Sequence, residues 1–140
     1  MTRALIIGGG VAGPVAAIAL QRAGIDTVVY EAHAPTTEQQ EVGSYLTVAS
    51  NGIDALRAIG ADTPVLDAGF PTATNVLWSA AGRRLGAVAN GGVLEDRTTA
   101  HTIKRARLYR TLHQQAAGRG IHTHGGNRLR DAAPTPGGST

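Results

Sequence analysis

Cysteine is absent from the 140 residues, which excludes disulfides, thiol catalysis and cysteine-bound zinc. Aromatic residues make up only 4% of the chain, so a core has to be built mainly from alanine, valine, leucine and isoleucine. The same scarcity leaves no tract in which basic and aromatic side chains interleave, as a platform for single-stranded nucleic acid requires. No apolar run approaches the length of a membrane span, and the first residues carry no signal-peptide pattern. Charge is sparse too, at 16% of residues, and the net charge of +3 comes from arginines scattered in twos and threes. That distribution reads as solvated surface with a few phosphate contacts. These absences together lead us to expect a cytoplasmic protein with neither a nucleic-acid nor a membrane partner.

The hydrophobic fraction of 42% is that of an ordinary globular protein, and 140 residues suffice for one domain. The most informative stretch comes first. An apolar run over residues 4–7 enters a glycine cluster without a polar break, as a buried parallel strand does. Gly8, Gly10 and Gly13 then fall in the GxGxxG spacing. Such glycines serve a sharp turn, a close approach of backbone N–H groups to a pyrophosphate, and tight helix-to-strand packing. An Ala-, Leu- and Ile-rich helix is predicted over 11–23, with Pro14 in its first turn and Gly24 just past its end. A second strand is predicted over 27–30, closing on Glu31, roughly 20 residues beyond the glycines, where a ribose-binding acid belongs. Strand, glycines, helix, strand and acid in this order predict a dinucleotide site.

Farther along, residues 33–41 read as loop and 42–48 as a short strand or extended segment. Ser50, Asn51 and Gly52 offer N-cap chemistry for a helix over 53–59, ended by Gly60. A hairpin is predicted around Ala81 and Gly82, a helix over 108–117, and a strand over 121–124 lying beside the first strand. A strand start over 129–133 is followed by a Pro- and Gly-rich turn with no partner strand after it, so the chain reads as truncated, with an unpaired edge there. His122 and His124 alternate on their strand, but two histidines alone fall short of a metal site. No catalytic constellation of side chains is found.

Three stretches taken together resemble the N-terminal part of the FAD-dependent aromatic-hydroxylase monooxygenases, the p-hydroxybenzoate hydroxylase-like family. They are the GGGVAG fingerprint ending at Glu31, GSYLTVASNGIDALRAIG (43–60), and IKRARLYRTLHQQAAGRGI (103–121). The resemblance implies an α/β, Rossmann-like FAD-binding domain, a parallel sheet with flanking helices and an added β-hairpin, with residues 1–140 as its N-terminal part and no separate substrate domain. It implies FAD as cofactor, NAD(P)H as co-substrate, and insertion of one oxygen atom from O2 into a small aromatic or related organic substrate. Gly8, Gly10, Val11, Ala12 and Gly13 would lie along the pyrophosphate. Glu31, with Ala32 beside it, would take the adenosine ribose hydroxyls. Arg105 matches the family arginine that reaches the cofactor, and its planar, permanently charged fork suits a phosphate or ribityl contact. Gly43 and Ser44 would lie near the flavin ring, and Leu129 would pass the adenine. The family's Asp-Gly stretch and its second, Gly-Asp, fingerprint are missing, so a complementary C-terminal chain is an expected partner and the chain alone is expected to be inactive. Two alternatives stay open, a non-catalytic dinucleotide-binding remnant and an NAD-dependent dehydrogenase Rossmann domain.

Overall fold

The apolar run and the glycines fold as their order predicts. In a computed structural model, which describes residues 2–33, 44–92 and 98–131, strand β1 (Arg3–Ile7) leads through the glycine turn into helix α1 (Ala12–Arg22). Gly24, at φ +79°, reverses the chain into strand β2 (Asp26–Tyr30), which pairs parallel with β1 from Arg3 opposite Asp26 to Ile7 opposite Tyr30. Helix α1 turns Gly13, Pro14, Ala17 and Ile18 inward, and Ala17 and Ile18 are fully buried beneath Val29 of β2 in one core cluster. Spacing of three to four residues keeps these small side chains on one face of the helix, so it lies close to the sheet.

A second layer follows. Strand β3 (Tyr45–Val48) leads into α2 (Ser50–Ala58) and α3 (Asp62–Ala68), then β4 (Phe70–Pro71), the hairpin β5 (Thr74–Trp78) and β6 (Arg84–Ala89), and β7 (His101–Lys104). The order β3-β7-β4 forms an antiparallel sheet, with Leu46 opposite Ile103. Helix α4 (Arg105–Ala117) then returns to the first sheet and delivers β8 (His122–His124). Leu108, Leu112 and Ala116, spaced by four, bury one face of α4 against Ala17, Ile18 and Val65. Arg119 ties the helices together, its guanidinium donating to Gln115 O and, at 2.8 Å, to Gly60 O at the end of α2.

Hairpin β5–β6 turns at Gly82 (φ +75°) as predicted, but its apolar side chains Val76, Leu77, Trp78, Leu85 and Val88 are all exposed.

Strand β1 is not buried as expected, since Leu5 and Ile7 are exposed, and four further expectations need correction. Strand β8 pairs with β2, not with β1, giving the order β1-β2-β8. Helices α1 and α4 pack against each other and so share one face of the sheet, and crossovers of the usual right hand over one face step the strands in one direction, away from β1. Helix α2 already starts at Ser50, because Ile53 N–H bonds back to Ala49 O at 3.0 Å. No side chain caps it, and Asn51 Oδ1 accepts only from its neighbour Gly52 N–H. Helix α4 begins at Arg105, three residues earlier than the leucine spacing marks, since Lys104 is the last extended residue. Finally, residues 129–131 form no strand; the chain turns out of the sheet at Gly126 (φ +74°), and Leu129 is exposed. The rest of that expected strand and turn, from residue 132 onward, lies outside the described residues.

Candidate functional site

The glycine turn leaves β1 by hooking onto the end of β2: Gly8 N–H donates to Tyr30 O at 2.7 Å, with Gly8 at φ +104°. A Cβ on Gly13 would run into the Gly8 carbonyl, so the first turn of α1 presses directly on the loop. Gly9 is buried, and a Cβ there would meet the Glu31 side chain at 2.9 Å. Gly10 differs. It is exposed, and no atom lies within 4 Å of the place its Cβ would occupy. The loop is therefore closed at Gly9 and Gly13 and open at Gly8 and Gly10, and of these two Gly10 is the exposed one whose φ is not left-handed.

That opening faces the start of α1. Val11 stands at the helix boundary, no side chain caps it, and the first turn holds no acidic residue. The N–H groups there stay available, and the helix dipole makes the position favourable for an anion.

Glu31 closes the other side. Its Oε2 accepts from Gly9 N–H at 2.7 Å, and its Oε1 from His33 N–H at 2.9 Å with His33 Nδ1 at 3.0 Å. These donors hold the carboxyl at about 2, below its ordinary 4.5, the His33 backbone N–H contributing most, then Gly9 and then the His33 ring. The carboxylate is thus firmly ionised at neutral pH and 19% exposed. Asn127 N–H donates to Glu31 O at 2.8 Å, which anchors the segment leading to Leu129 at the end of β2.

Helix α4 supplies the far wall. Arg105, Tyr109 and His113 recur every four residues and so share one side of the helix. His113 Nε2 donates to Gly9 O at 2.5 Å, and its ring lies 4.1 Å from that of Tyr109. Burial, and secondarily the charge of Glu31, push the Tyr109 hydroxyl up. A cleft of about 450 Å³ runs between Glu31 and His33 on one side and Tyr109, Arg110 and His113 on the other.

Of the predicted site residues, Gly8, Gly10, Val11, Ala12, Gly13, Glu31 and Ala32 gather at the ends of β1 and β2. Ser44 and Arg105 form a second group, joined by Arg105 N–H donating to Ser44 O at 3.1 Å. Gly43 lies outside the described residues. Sequence reasoning missed Tyr109 and His113, whose one signal was the four-residue spacing from Arg105. Among the described residues no group of three or more His, Cys, Asp or Glu is placed to hold a metal. His122 and His124 are both exposed, and His124 stacks on Tyr30 at 5.2 Å. No helix of the described residues is long and apolar enough to cross a membrane.

With this geometry in place, comparison with known proteins is informative. A family model described as "FAD binding domain" matches residues 1–137. The FAD-dependent urate hydroxylase of Mycolicibacterium vanbaalenii is 47% identical over 58 residues, 41% of this chain and 14% of that protein. Aurachin C monooxygenase/isomerase of Stigmatella aurantiaca is 33% identical over 111 residues, 79% of this chain and 28% of that protein. Among solved structures, the tetrameric form of 2-methyl-3-hydroxypyridine-5-carboxylic acid oxygenase superposes with a TM-score of 0.75 at 25% identity, covering 90% of this chain and 32% of that one. The chain thus spans less than a third of the length of each of these relatives.

Proposed function

We propose a function from one premise: the chain belongs to the FAD-binding domain family, and its relatives are FAD-dependent monooxygenases. The residues fit the cofactor. Open space above Gly10, beside an uncapped helix start with no acid in its first turn, suits a pyrophosphate that a side chain at that position would displace. This opening is the observation that carries the reading. Backbone N–H groups of Gly10, Val11 and Ala12 hold the pyrophosphate, with Gly8 and Gly13 setting the turn. Glu31 spends three of its about four acceptor sites on Gly9 N–H, His33 N–H and the His33 ring, and the remaining one, on Oε2, serves a ribose hydroxyl, with Ala32 and Leu129 alongside the adenosine. Ser44 and Arg105, and Gly43 by its place in the sequence, serve the ribityl and ring end.

When bound, FAD supplies the redox and oxygen-transfer chemistry, with NAD(P)H as the reductant of the whole enzyme and a small aromatic or related organic compound as its substrate. The chain itself binds and orients the cofactor. It corresponds to the N-terminal part of a FAD-binding domain and works in the cytoplasm. The test is a titration of the purified chain with FAD, followed by flavin fluorescence and by displacement with ADP. Saturable binding displaced by ADP is expected; no saturable binding refutes the proposal.

A further inference from the structure

The peptide unit joining Gly9 to Gly10 is oriented from outside the loop. Its carbonyl accepts from His113 Nε2, a contact across 104 positions of the chain, so the hydrogen sits on Nε2. The described peptides are all trans, and a trans peptide is planar, with C=O and N–H pointing in opposite directions. Holding the Gly9 carbonyl toward α4 therefore turns the Gly10 N–H away from α4. There it meets no acceptor among the described residues, and the space beside Gly10 is open. The preceding N–H, that of Gly9, is already taken by Glu31 at 2.7 Å. Two side chains from different elements thus fix the two polar groups of Gly9 and leave the next donor free. The His113 ring is itself steadied by Tyr109, one turn earlier on α4.

We propose that His113 is a positioning residue for phosphate binding, holding the Gly9 carbonyl so that the Gly10 N–H is presented to a phosphate of the dinucleotide. Without that anchor the peptide is free to rotate and to aim its carbonyl oxygen at the anion. The inference rests on the dinucleotide reading above and adds a residue to it.

Two variants of similar bulk separate the donor from the packing: His113→Leu has no donor, and His113→Gln keeps one on a flexible stem. Calorimetric titration of the full chain and both variants uses ADP and, as the ligand without phosphates, adenosine. His113→Leu is expected to lose about tenfold in ADP affinity, the scale of one hydrogen bond to a charged-ligand site, with adenosine affinity within about twofold. His113→Gln is expected to recover most of the loss. Unchanged ADP affinity in His113→Leu, or equal losses for ADP and adenosine, overturns the role of His113 while the dinucleotide reading stands. If the unaltered chain binds neither ligand, that reading fails and the inference with it. A second measurement needs no variant. On addition of pyrophosphate to ¹⁵N-labelled chain, the Gly10 amide resonance is expected to shift more than that of Gly9; the reverse order overturns the proposal.

Discussion

Replacing Glu31 by alanine separates its part in the fold from its part in binding. In the free chain the carboxylate is the acceptor for Gly9 N–H at 2.7 Å, and Gly9 is buried. Alanine leaves that donor unpaired, at a cost of about 1–3 kcal/mol. The lost bond to His33 adds little, because His33 is exposed and water can replace the carboxylate there. Since the Glu31 side chain is itself 19% exposed, some water reaches the Gly9 donor and the lower half of the range applies, about 1–2 kcal/mol. For a chain of this size that corresponds to a fall in Tm of roughly 3–8 °C. The sign of the pH dependence follows from the depressed carboxyl. Its contribution is full above its ordinary value of 4.5 and fades as pH falls toward about 2. The gap between the unaltered chain and Glu31→Ala should therefore be open at pH 7 and largely closed near pH 2. The assay is thermal unfolding followed by far-ultraviolet circular dichroism without nucleotide at both pH values. An unchanged Tm at pH 7 would refute the clamp on Gly9, and a gap that stays constant on acidification would refute its assignment to the ionised carboxylate.

Gly10→Val should fold with its Tm unchanged, because the space beside Gly10 is open and its φ is not left-handed, yet lose ADP binding in calorimetry. Gly13→Ala should do the opposite first, lowering Tm by several degrees, roughly as expected for a forced backbone shift, because its Cβ meets the Gly8 carbonyl. Arg105→Ala should weaken FAD about tenfold while leaving ADP affinity intact, and an equal loss of both would move Arg105 to the pyrophosphate. Arg119→Ala removes the bonds to Gly60 O and Gln115 O and should cost about 1–2 kcal/mol in denaturant unfolding, with ADP binding by the folded chain unaffected.

The parts of the fold that were legible in the sequence are those that leave a periodic or punctuated trace. An apolar run, spaced glycines and Glu31 marked β1, α1 and β2; Leu108 and Leu112 marked α4; Gly82 between apolar runs marked the hairpin. Helix α3 and the two-residue strand β4 were missed, although Asp62 and Pro64 in one first turn form a helix-start signal. The position of β8 beside β2 depends on the hand of the α4 crossover, which no local pattern encodes. For the site, the glycine geometry was readable because a single residue type serves each purpose. The bond from His113 to Gly9 was not, since it joins a side chain to a main-chain oxygen far away in sequence and constrains no neighbouring residue type. The resembling stretch over 103–121 includes His113, but the resemblance assigned a role only to Arg105, two turns earlier.

Hairpin β5–β6 carries a practical consequence for unfolding followed by intrinsic fluorescence. The chain has a single tryptophan, Trp78, and it sits on that hairpin with 59% of its surface in water. The buried cluster of α1, α4 and β2 includes no residue of β5 or β6. An indole already solvated in the native state changes its surroundings little on unfolding, so emission will be red-shifted from the start and will follow the hairpin instead of the core. A melt read by intrinsic fluorescence would thus record a small early change and miss the cooperative loss of the nucleotide-binding layer. Moving the fluorophore by Trp78→Phe combined with Leu112→Trp would disturb packing at a fully buried position. Tyr109→Trp, at the wall of the cleft, places the probe where nucleotide arrival and core unfolding both change its emission.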